Sequence, residues 1–129
     1  MSDTHPNVAL IEQLDIHDIA ASKDVFAEDA VFRYFNPLLP DLQGDYVGLA
    51  GIRDFFQKIG ALSEGTFRIE PVSATAVGDE LVVVHTRNSL TFDNQPITMD
   101  VVVVWRILNG RVTEVWDIPS VYTAEQRPD

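Results

Sequence analysis

The sequence contains no cysteine in 129 residues. That excludes zinc ribbons, thiol nucleophiles and iron–sulfur clusters, and it leaves the redox compartment undetermined, since a cysteine-free chain is stable in either. Basic residues are scarce: Lys+Arg is 9 against Asp+Glu 20, a formal net charge of -11. So acidic a surface repels phosphate backbones and anionic headgroups, and neither nucleic acid nor membrane is expected as a partner. No apolar run approaches the ~20 residues of a membrane span. The start, MSDTHPNVAL, lacks a basic segment followed by an apolar run, which points to a cytoplasmic protein. His5, His17 and His85 are too scattered for a metal triad, and no H-x-x-x-H spacing occurs. The isolated glycines form neither G-x-G-x-x-G nor a phosphate loop. No metal and no cofactor is expected.

Hydrophobic residues make up 46% and charged residues 22%, the composition of one globular domain, here taken as 1–129 with a short polar tail after about residue 123. A chain of this size buries roughly two-thirds of its unfolded surface and needs no disulfide or structural metal. No repeat, low-complexity block or linker divides it.

The pattern reads as helices first and strands last. Thr4 followed by Pro6 predicts a helix start, with Val8, Ile11 and Leu14 at helical spacing. A second short helix is predicted from Asp15 or Asp18 to Ala27, with Ile19, Val25 and Phe26 inward. Val31 to Phe35 has the β-branched and aromatic content of a short strand, ended by Asn36-Pro37 and followed by a loop through Gly44. From Gly48 to Leu62 the positions Leu49, Ile52, Phe55, Phe56, Ile59 and Leu62 share one helical face. Strands are predicted over 66–77, 80–92, 97–108 and 111–118, separated by turn residues, as an antiparallel meander. Val101 to Trp105 is apolar at every position, so both faces of that strand are expected to be covered, one by the helices and the other by a second copy of the chain in a homodimer.

Three segments carry a resemblance. Phe26-Ala27-Glu28-Asp29-Ala30-Val31, Gly44-Asp45-Tyr46-Val47-Gly48 leading to Ile52-Arg53-Asp54-Phe55-Phe56, and Val103-Val104-Trp105-Arg106 through Asn109-Gly110-Arg111-Val112 to Glu114-Val115-Trp116-Asp117 are similar to SnoaL-like polyketide cyclases and ketosteroid-isomerase-like proteins. These form a branch of the nuclear-transport-factor-two-like superfamily, and the match spans about residues 8–123. The resemblance implies an α+β cone, with N-terminal helices packed on a strongly curved, mainly antiparallel sheet. It also implies isomerase, cyclase, dehydratase or epoxide-hydrolase chemistry, or a non-catalytic module. The two aspartates of the steroid isomerases fall on Tyr34 and Val103, and their tyrosine on Leu10. Of the Asp-Arg-Asp set of limonene-epoxide hydrolases only Asp117 is retained, with Thr86 and Asn88 at the other two positions. Neither mechanism transfers whole.

The register of the strands decides which side chains share the cavity. On 80–92 the set Val84, Thr86, Asn88 and Leu90 is less polar than His85, Arg87 and Ser89, and is placed inward. On the next strand Met99, Val101, Val103 and Trp105 face the cavity, while Asp100 and Arg106 lie outside. A four-residue loop at 93–96 pairs Phe92 with Ile97 and Asn88 with Val101. A two-residue Asn109-Gly110 turn would pair Val102 with Asp117 and turn the carboxylate outward. A three-residue Leu108-Asn109-Gly110 loop pairs Val101 with Asp117 and turns it inward, and this is the register adopted, because it groups Arg106 with Glu114 on the outer face. Asn88, Val101 and Asp117 then form one row, the polar ends roughly 10 Å apart.

The expected site therefore has Asp117 as acid/base, with Tyr34 and Asn88 as polar groups that hold an oxyanion. Its apolar walls are Phe32, Phe56, Val101, Val103, Trp105 and Val115. Such walls raise a carboxyl pKa toward neutrality. The expected function is binding of a small hydrophobic, oxygen-bearing molecule and its cofactor-free isomerisation, cyclisation or dehydration. The alternative is a non-catalytic ligand-binding or dimerisation module. Pro37-Leu38-Leu39-Pro40 is read as a lid, and His85 as a surface or interface residue.

Overall fold

The computed structural model describes residues 5–15, 18–123 and 125–126. The first helix, α1, spans Pro6–Glu12. His5 caps it: the ring Nδ1 accepts the Asn7 N–H at 3.0 Å, and Pro6 sits in the first turn, where its missing N–H costs nothing. Thr4, the cap expected from the sequence, lies outside the described residues, as does His17. Seven residues are too few for a helix to persist alone. α1 is anchored by buried Val8 and by the turn at Asp79, whose carbonyl accepts from Asn7 Nδ2 at 3.0 Å.

The second helix predicted toward Ala27 is not formed. A single 3-10 turn, Ile19–Ser22, leads into β1 at Phe26–Tyr34, which starts well before the predicted Val31. Ile19, Val25 and Phe26 are buried as expected, but a partner strand takes the backbone, with Val112 N–H donating to Val25 O at 2.8 Å. Tertiary pairing overrides a weak local helical pattern here. A short strand, β2 (Gly44–Val47), pairs antiparallel with β1 where a loop was predicted. α2 spans Gly48–Leu62, as predicted, and buries Ile52, Phe55 and Ile59.

β3 (Arg68–Val77), β4 (Leu81–Phe92), β5 (Gln95–Leu108) and β6 (Arg111–Pro119) form the antiparallel meander. β6 then pairs in parallel with β1, giving the order β2-β1-β6-β5-β4-β3, and a two-residue β7 (Glu125–Gln126) joins the start of β5. The result is the expected α+β architecture, helices on the concave face of an open, curled, mostly antiparallel sheet.

Both hairpins differ from the predicted register. The β4–β5 turn has two residues, Asp93 and Asn94, with φ of 53° and 64°, and Phe92 pairs with Gln95. Pro96 is therefore inside the strand. It removes no ladder bond to β4, because its partner Thr91 turns both its carbonyl and its N–H toward Thr66 Oγ1 and away from β5, the N–H donating at 2.8 Å. The pairing slides by two residues relative to expectation, which keeps every side chain on its predicted face and places Asn88 opposite Met99 rather than Val101.

The β5–β6 turn is also two residues long, Asn109 and Gly110, with φ of 55° and 77°. Alone it would turn Asp117 outward. A bulge corrects the parity: Ile107 pairs with Val112 but Arg106 with Glu114, so Thr113 is the extra residue. Asp117 faces inward as expected, opposite Val103 rather than Val101. On the outer face Arg106 Nε donates to Glu114 at 2.7 Å.

Candidate functional site

A cavity of about 500 Å3 lies between the helices and the concave face of the sheet. Its aromatic wall follows from α2 lying across β1. Phe32 and Phe55 have ring centroids 4.8 Å apart, Tyr34 and Phe55 4.6 Å, and Phe55 and Phe56 5.0 Å. Val8, Ile11 and Leu14 close one side, and residues 69 and 71–74 of the sheet-edge strand β3 close another. Among the described residues lining the cavity there is no Lys, Arg or His, and the acidic groups are Glu12 and Asp117.

Asp117 and Tyr34 are neighbours on the parallel strands β6 and β1. The Asp117 carboxyl faces the cavity, its Oδ1 is sealed from solvent, and it has no hydrogen-bond partner. Burial against apolar walls raises its pKa from the ordinary 3.8 to about 7. The Tyr34 hydroxyl is held by Asn36, which is completely buried. Asn36 Oδ1 accepts the Leu38 N–H at 3.0 Å, which assigns the amide orientation and leaves Nδ2 to donate to Tyr34 OH at 3.0 Å. The phenol oxygen thus accepts from Asn36 while its own O–H stays free to donate. Burial first, then the Asp117 charge, raises the Tyr34 pKa against the lowering effect of the Asn36 bond, so the phenol keeps its proton.

Trp105 also lines the cavity, and its Nε1 is buried without a partner. Thr86 and Asn88 form the other polar pole, with Thr86 Oγ1 donating to Asn88 Oδ1 at 2.8 Å. In the observed register the row through Asp117 is Val84, Val103, Asp117, Tyr34. Asn88 lies four residues along β4 from that row, so it is about 16 Å from Asp117 along the sheet, not the roughly 10 Å of one shared row.

The structure brings Asp117, Tyr34, Asn88, Phe32, Phe56, Val103 and Trp105 to one cavity. Val101 and Val115 are not part of its lining: they are closed into the core at 2% and 0% exposure, Val101 having slid beyond the Asp117 row. Leu10 packs against the core instead of lining the cavity. The segment 37–40 is not a lid either, since Leu39 is buried in the core at 2% and α1 takes the position over the cavity. His85 is on the outer face, its Nε2 2.9 Å from Asp100 Oδ1. Sequence reasoning missed Asn36, treated only as a strand terminator, and Glu12. It also took Trp105 as an apolar wall, although an indole on an inward strand set carries a donor that must find a partner. Among the described residues no group of three or more His, Cys, Asp or Glu is placed to hold a metal, and no helix is long and apolar enough to cross a membrane.

Residues 8–115 match the family model of the SnoaL-like domain. Among curated proteins nothing matches the chain. Solved structures show the same fold. An NTF2-like protein of unknown function from Burkholderia pseudomallei is 22% identical, with 92% of this chain and 94% of that chain covered at a TM-score of 0.76. TerC, co-crystallised with polyporic acid, is 23% identical, with 92% and 94% covered at 0.74. A protein of ketosteroid isomerase-like fold from Catenulispora acidiphila, in complex with trimethylamine, is 13% identical, with 78% and 73% covered at 0.61.

Proposed function

The chain belongs to the SnoaL-like domain family, within the nuclear-transport-factor-two-like superfamily, and from that premise we propose that it binds a small hydrophobic, oxygen-bearing molecule and transfers a proton on it without a cofactor. Isomerisation, cyclisation and dehydration all fit this chemistry. The observation that carries the reading is the Asp117 carboxyl, its Oδ1 without a partner, facing an apolar cavity with its pKa near 7. A group poised near the working pH is the efficient general acid/base, because it both takes and returns a proton. Tyr34 supplies the hydrogen bond to a developing oxyanion, and Asn88 contacts the far end of the molecule. Phe32, Phe56, Val103 and Trp105 form the walls. Two neighbours of the same fold, crystallised with polyporic acid and with trimethylamine, are in keeping with small-molecule binding in this architecture.

The outer sheet face is the proposed homodimer contact. Val102 and Ile118 pair on neighbouring strands at 38% and 52% exposure, and Val104 extends the same apolar face.

The test of the catalytic reading uses 2-tetralone as a probe, with its α-hydrogen exchange in heavy water followed by NMR. The wild-type protein is expected to accelerate exchange, and Asp117→Asn to lower the rate by about 100-fold or more. Binding of the ketone with no acceleration would overturn the catalytic reading in favour of a ligand-binding module.

A further inference from the structure

We propose that Trp105 is a ligand donor: its indole N–H and the Asp117 carboxyl together hold one hydroxyl group of the bound molecule. The site then takes phenols, enols or carbinols in preference to the matching ethers and hydrocarbons. This rests on the cavity being a ligand site, but not on any catalysis there.

The two buried side-chain atoms without a hydrogen-bond partner among the described residues are Trp105 Nε1 and Asp117 Oδ1, and both residues line the same cavity. Buried polar atoms are nearly always partnered, since leaving one unpaired costs on the order of 1–3 kcal/mol. Finding both orphans at one place indicates a partner that comes from outside the chain. The backbone explains how they meet. Trp105 pairs with Val115, and Asp117 is the next inward residue along β6, so the two are diagonal neighbours on one face, about 7–8 Å apart at Cα. They do not bond each other, yet one small group between them reaches both.

Their chemistry specifies that group. An indole N–H only donates, and an ionised carboxylate only accepts. A hydroxyl accepts from the first and donates to the second. An ether satisfies only Trp105, and a hydrocarbon satisfies neither. A carboxylate or phosphate on the ligand meets Asp117 and Glu12 with no cation in the lining, so the group is not anionic, and an ammonium has no lone pair to accept the Trp105 N–H. The Tyr34 O–H, free on its donor side, faces the same space from β1.

The experiment measures the affinities of 5-indanol, 5-methoxyindane and indane for the full chain by calorimetry at pH 8.5. The expected result is about tenfold tighter binding of the alcohol than of either analogue, which corresponds to about 1.4 kcal/mol. Trp105→Phe keeps the aromatic wall and removes the donor. It is expected to weaken 5-indanol about tenfold more than it weakens indane, so that the preference for the alcohol is lost. Equal affinity of all three probes for the wild type overturns the proposal, and this comparison needs no variant to fold. A loss shared equally by all three probes in Trp105→Phe overturns it too, showing a wall and nothing more. If indane binds and the alcohol gains nothing, the cavity reading stands while this inference fails. If none of the three binds, the cavity reading fails and takes the inference with it.

Discussion

Tyr34 and Asp117 stand side by side on parallel strands, face one cavity, and are not hydrogen-bonded to each other. Their proton affinities diverge for physical reasons. The phenol is buried and lies beside a carboxylate, both of which oppose its ionisation. The carboxyl is buried without a donor to stabilise its charge, which brings its pKa to about 7. Around neutral pH one group only donates and the other exchanges its proton, the division of labour that proton-transfer sites require.

That division predicts a pH signature in stability. The unfolded chain releases the Asp117 proton near 3.8, and the native protein near 7. Between these values the native state holds a proton that the unfolded state has lost. Stability from this group is therefore full below about pH 4, falls as pH rises toward 7, and is level above. Each pKa unit is worth about 1.4 kcal/mol. Asp117→Asn removes the slope, so the wild-type minus variant difference in urea-unfolding free energy is expected to become more negative from pH 4 to pH 7. A flat difference contradicts a desolvated carboxyl, and carbon-detected NMR titration of the side chain reads the same pKa directly.

Asn36 is the second point of leverage. Itself buried, it joins the Leu38 N–H, Gln43 Oε1 and the Tyr34 hydroxyl in one part-buried network. Asn36→Ala leaves the Leu38 N–H without its acceptor and frees the phenol to rotate. A loss of about 1–3 kcal/mol in unfolding free energy is expected, together with weaker activity toward any ligand that Tyr34 contacts. Unfolding titrations of Asn36→Ala measure the structural part, and its activity toward the ligand measures the part carried through Tyr34.

Much of this was legible in the sequence because long periodic segments report burial directly. The apolar face of Gly48–Leu62 and the alternation along β4 placed α2, Thr86 and Asn88 correctly. Asp117 was also placed inward, but through a three-residue loop that does not exist. The inward turn comes from the Thr113 bulge, and no residue type marks a bulge in a strand that already contains a threonine. The Pro96 signal misled for a related reason: it marks a missing donor, which is harmless where the facing carbonyl points elsewhere. β2 has four residues and forms because β1 offers an edge, so its cause lies in another segment.

Gly48 tests how tightly α2 is seated. Its φ is 74°, and an added Cβ meets Glu28 O at 3.3 Å, so two penalties coincide at the hinge between β2 and α2. Gly48→Ala is expected to lower stability by about 1–2 kcal/mol. Because α2 carries Phe55 and Phe56 into the cavity wall, the variant is also expected to weaken indane binding. Thermal unfolding and calorimetry check the two effects separately. An unchanged melting temperature shows that the backbone relaxes there at no cost.

The outer face offers the corresponding test of assembly. Val102 and Ile118 form a cross-strand apolar pair on a face that no helix of the described chain covers, whereas Arg33, Glu114 and Arg106 bond one another farther along it. The apolar part is suited to a second copy, and the ion-paired part to a rim. Ile118→Glu brings like charges together across a two-fold contact and is expected to shift the protein from dimer to monomer in sedimentation equilibrium. Its side chain points away from the cavity, so 5-indanol affinity is expected to stay within about twofold, since a surface change costs no more than about 0.5 kcal/mol. A wild-type protein that sediments as a monomer removes the proposed interface, and a variant that remains dimeric moves it to another surface.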